Sequence, residues 1–205
     1  MTPEGLRLNS ASPDLLRTLL DEFEDELRRA GVGFEGWLKP GLDPDEVRAT
    51  LTVNGFSPNE EVVTWFAWHN GESAPFGASA ALPRFALRDL DQVIRHFNGE
   101  YAQPRGLDWW QWNPAWLRIA WDYGEGIAVR LNPDPTNTPL VRYVTDDGEF
   151  GTQASQTERQ VVSLCTPVAW WIKSLRRGWY RFKAHQGVQW SQEGQPSERA
   201  VIGLS

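Results

Sequence analysis

Four side chains in this sequence have the chemistry of a nucleophile, a general base or a soft metal ligand: Cys165, His69, His96 and His185. A thiol and an imidazole could form a dyad, and His/Cys sets can hold zinc, but only at suitable spacing. No histidine stands three or four residues from another, and one cysteine cannot make a CxxC pair, so a zinc site has almost no support. Cys165 abuts an apolar run and reads as a buried, inert thiol. His69 falls in the last turn of a helix, where the macrodipole favours a cation. The sequence has no GxSxG elbow, no Walker loop and no GxGxxG after a strand; the "GEG" at Gly124 is turn chemistry. The carboxylate pairs Asp89/Asp91 and Asp146/Asp147 read as cap and turn residues. No catalytic residue, cofactor site or metal site is therefore expected.

The other concentration of reactive surface is aromatic. "WWQWNPAWLRIAW" places five of the chain's 12 tryptophans between Trp109 and Trp121. Trp121 shares a face with Leu117 and Ile119 and reads as core. Trp109, Trp110 and Trp112 lie in an irregular segment broken by Pro114. Such rings can pin a loop to a sheet through their area and their N–H. A row of exposed rings would instead suit sugar stacking or an interface.

Elements must position all of these residues. "SPDLLRTLLDEFEDELRRAG" predicts a helix with Ser12 as N-cap, Pro13 at its first position and Gly31 closing it. Leu16, Leu19, Leu20, Phe23 and Leu27 form its apolar stripe, and Asp21, Glu22, Asp25 and Glu26 its solvated face. "LDPDEV" starts a second helix on Asp43, Pro44 and Glu46, with Leu42 and Val47 spaced as a staple. "SPNEEVVTWFAWHNG" starts a third on Ser57, Pro58 and Glu60, and Asn70-Gly71 should end it. "LRDLDQVIRHF" predicts a fourth, with Leu90, Val93, Ile94 and Phe97 inward. Period-two alternation then predicts an antiparallel hairpin, "LRIAWD" and "IAVRLN", followed by a third strand, "LVRYVTDDG". "TPVAWWIKSLRRG" closes as a helix with Val168, Trp171, Ile172 and Leu175 inward, Trp170 off the stripe and Gly178 as its stop. Helices before and after a short antiparallel sheet predict an α+β fold.

The expected organisation is an N-terminal helical extension over 1–39, an α+β domain over 40–183 and a polar tail over 184–205. A net charge of −7 and a pI near 5.0 leave no basic stripe for nucleic acid. The best basic cluster, Lys173 to Lys183, suits a helix C-terminus. Without an apolar span or a signal-like start, neither membrane contact nor secretion is expected, and a single cysteine fits a cytoplasmic protein.

The order of motifs resembles the SUKH superfamily over residues 40 to 182. The motifs are the helix ending "WFAWHNG", the "FALRDLDQVI" helix, "WNPAW", the "IAVRL" strand, "PLVRYVTDDG" and "VAWWIKSLRRGWY". The N-terminal helix from Ser12 to Ala30 and the tail after Phe182 lie outside the resemblance. It implies a non-catalytic, protein-binding α+β domain. Many bacterial members are immunity proteins that block a toxin of the nuclease or deaminase class, and others are regulatory or scaffolding modules like the yeast cell-wall regulator. A carbohydrate-binding protein using Trp109, Trp110 and Trp112 is the reading from another class. A basic toxin domain would suit the acidic charge. Asp122, Tyr123, Glu125, Asp146, Asp147 and Glu149, at the turns of the sheet, are the expected partner-binding residues, with Tyr123 as an aromatic anchor. The acidic first helix is the next surface in line.

Overall fold

Helix α1, Pro13–Arg29, buries the predicted stripe: Leu16, Leu20, Phe23 and Leu27 are 0–1% exposed. The chain is described here by a computed structural model covering residues 8, 10–32, 37–73, 82, 85–98, 116–122, 125–130, 140–145, 160–183 and 189–192. After α1 come β1 (Leu38–Pro40), α2 (Pro44–Val53), α3 (Glu60–Trp68), β2 (His69–Glu72), β3 (Ala86–Leu87) and α4 (Leu90–Phe97). Then follow β4 (Trp116–Asp122), β5 (Glu125–Arg130), β6 (Leu140–Thr145), β7 (Gln160–Val161), α5 (Cys165–Arg176), β8 (Tyr180–Lys183) and β9 (Gln189–Gln192). Strands β3-β4-β5-β6-β7 form an antiparallel sheet, and β1-β2 and β8-β9 are two-stranded ribbons. This is an α+β fold. No helix among the described residues is long and apolar enough to cross a membrane.

Local chemistry explains most helix ends, with two corrections. The Asp43 carboxylate caps α2 by accepting from the Asp45 and Glu46 amides. Asp89 and Gln92 close a reciprocal capping box on α4. Helix α3 starts on Asn59, whose side chain accepts from the Glu61 amide, two residues beyond the expected Ser57 cap. The Asn70-Gly71 pair does not cap α3 either, because the helix ends at Trp68 and both residues lie in β2. Their chemistry is spent on α4 instead. Asn70 Oδ1 accepts from the Leu90 amide at 2.8 Å, and Gly71 has φ 83° with Asp89 so close that a Cβ would sit 2.4 Å from its nitrogen. Gly41 is needed for a different reason. A Cβ there would lie 1.8 Å from the Ala67 carbonyl oxygen, so only glycine lets the β1–α2 link pass the last turn of α3.

Helix α1 shares the core of the rest of the chain. It packs against α5 and α3, and its stripe belongs to the same core as Trp65, Phe66 and Trp171. The polar segment from 184 also contributes order: β9 pairs with β8 from Tyr180↔Gln192 to Lys183↔Gln189. The central hairpin is covered on both faces, because Leu117, Arg118, Ile119 and Ala120 are all nearly or fully buried. Period-two alternation is the pattern of a sheet with one solvated face, and here Arg118 and Ala120 on the alternate positions are buried as well. A register shift between Arg118 and Ala120 and close approach at Gly126 accompany the double burial.

Trp171 packs on Phe23 at 5.6 Å and Trp65 at 6.3 Å between ring centroids. Trp170, expected off the stripe, is also buried at 4% exposure. Trp179 covers it at 5.2 Å, and the Lys173 ammonium lies 5.3 Å from the Trp170 ring centre. The single-stripe reading failed because α5 is covered by α1 on one flank and by the chain leading into β8 on the other. Both Trp171→Ala and Trp170→Ala should therefore cost stability in the range of ~3–5 kcal/mol, Trp170 at its lower end. Urea unfolding of the two variants checks this, and a Trp170→Ala midpoint equal to the parent's would return that ring to the surface.

Candidate functional site

Residues with catalytic chemistry do meet in this fold, at the amino ends of three helices. Glu61, in the first turn of α3, is fully buried. Its Oε1 accepts from the Ser12 amide at 2.6 Å and from the Ser163 hydroxyl at 2.6 Å. Its Oε2 accepts from the Leu164 amide at 2.8 Å. Ser12 and Leu164 occupy the N-cap positions of α1 and α5 without a side-chain cap bond, the Ser12 hydroxyl included, and one carboxyl group gathers the positive ends of α1, α3 and α5 instead. Backbone donors and three helix dipoles suit an acceptor there without a cation. The Cys165 thiol lies 3.8 Å from Glu61 Oε1 and 3.5 Å from the Ser12 carbonyl oxygen.

That Cys/Glu/Ser grouping joins elements and is poorly disposed for chemistry. Cys165 is fully buried, and burial pushes its thiol up to about 12, with a further upward push from the nearby Glu61. A thiolate nucleophile needs the opposite shift and access to substrate. Helical spacing offered a signal for Glu61, since Glu61, Trp65 and Trp68 stand at i, i+4 and i+7, and Trp65 is core.

The histidines lie apart from this group. His69 follows α3, with Nδ1 3.0 Å from the Lys39 carbonyl oxygen and Nε2 3.5 Å from Glu24. His96, on α4, stacks on Trp121 at 5.0 Å. Burial, with the Arg118 and Arg88 guanidiniums nearby, pulls its imidazole down to about 4, so it is neutral at physiological pH. Arg88 lies 4.6 Å from the Trp121 ring centre and donates to the Trp121 carbonyl at 3.0 Å. Trp121 is therefore half-buried and fixed by cations as well as by core. His185 lies outside the described residues, as do Trp109, Trp110 and Trp112. Among the described residues no group of three or more His, Cys, Asp or Glu could hold a metal ion.

Of the expected partner-binding residues, Asp122 and Glu125 are described as backbone. They pair across the β4–β5 hairpin, and Glu125 pairs in turn with Thr145, the last residue of β6. The sheet thus brings the end of β6 into one row with the hairpin acids. Tyr123, Asp146, Asp147 and Glu149 lie outside the described residues.

Charge is distributed more unevenly than those turns suggest. Residues 13–68 hold 12 Asp and Glu against 5 Lys and Arg, a net −7 equal to that of the whole chain. Residues 69–205 carry 14 of each sign. The acidity belongs to the layer of α1, α2 and α3. Within it Arg28 pairs with Glu24 and Asp25, Arg29 with Glu26, and Arg48 with Asp45 and Glu60. The Arg48 hydrogen bond holds the Glu60 carboxyl below its ordinary value. Arg176 of α5 reaches Glu22 and Glu26 at 2.6 and 2.7 Å, tying α1 down. Asp14, Asp21, Asp43 and Glu46 are exposed and form no ion pair among the described residues. Counting charge by segment would have located this layer from the sequence.

No family model matches the chain, and no curated protein matches it.

Proposed function

We propose that this protein is a non-catalytic binding module of the SUKH type, acting as an immunity protein that neutralises a basic toxin domain. The observation that carries the reading is the one-sided charge: residues 13–68, which contain α1, α2 and α3, hold the whole net −7, and the remainder is formally neutral. Such a face raises the encounter rate with a basic partner and disfavours acidic competitors. The sequestered thiol of Cys165 and the fully engaged carboxyl of Glu61 support a binding role over a nucleophilic one. The order of motifs from "WFAWHNG" to "VAWWIKSLRRGWY" supplies the SUKH assignment, and the cytoplasm is where such a protein would meet an incoming toxin. The α1–α3 layer is the preferred contact face, and the hairpin end at Asp122 and Glu125 is the second.

Co-expression tests this with the toxin domain encoded beside the gene. Growth should be restored and a stable complex recovered. A soluble, folded protein that neither binds nor protects would overturn the immunity reading, and a gene with no toxin neighbour would favour a regulatory module.

A further inference from the structure

We propose that a groove in the acidic layer is the docking site for one arginine or lysine side chain projecting from a basic protein partner. The proposal rests on the binding-module reading and adds to it a location and a recognised chemical group. The groove, of about 450 Å³, opens between α1, α3 and the start of α2. Leu42, Pro44, Ala67 and Trp68 give it apolar walls, and Arg17 and Asp21 stand on its α1 side.

Its walls are fixed before any ligand arrives. The Trp68 indole N–H donates to Glu24 Oε2 at 3.1 Å, and the ring packs against Phe23 and Trp65. Leu42 is tied to α3 by its amide, which donates to the Phe66 carbonyl at 3.0 Å. Pre-set walls reduce the ordering cost of binding. A long cationic side chain fits this combination, since its methylenes cover apolar surface while its head stays polar. The indole adds an aromatic partner for the cation. Asp21 is exposed, lines the groove and forms no ion pair among the described residues, so its carboxylate is available to the head group. Asp14, about two turns away on the same face of α1, and Asp43 and Glu46 at the start of α2 supply the surrounding negative field.

The probes are capped pentapeptides with a central arginine, lysine or citrulline between glycines, citrulline being the neutral near-isostere of arginine. They are titrated into the full chain and followed by backbone-amide and indole NMR. The arginine and lysine peptides should cause saturable shifts at Asp21, Thr64, Ala67 and the Trp68 indole. Affinity should fall roughly tenfold with citrulline and by at least as much for arginine on Asp21→Lys, with Asp21→Asn between. Equal affinity for citrulline, shifts that survive Asp21→Lys, shifts confined to other surfaces, or no shift at all would each overturn the proposal. A toxin that binds this protein while leaving those four groups unperturbed would sink the groove but keep the binding-module reading. A toxin that fails to bind at all sinks that reading instead.

Discussion

Glu61→Ala should be the most damaging single substitution in this protein. It leaves the Ser12 amide, the Leu164 amide and the Ser163 hydroxyl without their acceptor, in a site where Glu61, Ser163 and Leu164 are fully buried and Ser12 partly so. Each buried donor left unsatisfied costs about 1–3 kcal/mol, so the sum is roughly 2–6 kcal/mol once the part-buried Ser12 amide finds water. Against a typical total stability of about 5–15 kcal/mol, that is enough to unfold a large share of the molecules. Glu61→Gln keeps one acceptor oxygen but turns an amide NH₂ toward donors, and should lose about half as much. The damage should be polarised. Helix α1 is joined to this node through Ser12, so its amides should lose hydrogen-exchange protection before those of the β4–β5 hairpin. Glu61→Ala within about 1 kcal/mol of the parent would show that the node contributes little.

The reading from sequence succeeded where one local rule governs an element. The α1 stripe, the Asp43 cap, the Asp89 cap and the Gly178 stop each follow from spacing and side-chain chemistry within a turn or two, and Gly178 indeed has φ 66°. It failed where a distant segment decides. Asn70-Gly71 has the composition of a helix stop, yet its role is set by Asp89 and Leu90 some twenty residues on. Trp170 lies off one stripe but is covered by Trp179, and Arg118 occupies a nominally wet position that the fold buries. Glu61 resembles ordinary first-turn acidity. Its donors come from residues 12, 163 and 164, which no local pattern connects. For the contact surface, turn composition points to Asp122, Tyr123, Glu125, Asp146, Asp147 and Glu149 and the charge of residues 13–68 points to α1–α3; both are proposals, which the association rates of variants at the two surfaces separate.

The second large effect concerns association, where charge acts over distance. With the net charge concentrated in one layer, reversing exposed carboxylates there should slow encounter with a basic toxin far more than equal changes elsewhere. Asp14 and Asp21 are the appropriate positions, because both are exposed and neither is held in an ion pair among the described residues. Their replacement by lysine should leave the core intact and act on the association rate. Asp122→Lys and Glu125→Lys provide the contrast at the hairpin end of the sheet.

The most direct measurement is the association rate with the toxin domain at ~50 and ~500 mM salt, for the parent, Asp14→Lys/Asp21→Lys and Asp122→Lys/Glu125→Lys proteins, since added salt shortens the reach of these charges to a few ångströms. The account predicts a parent rate that falls about tenfold or more at high salt, a comparable fall at low salt in the α1 double variant, and little change in the hairpin variant. A parent rate indifferent to salt and to the α1 reversal would contradict it.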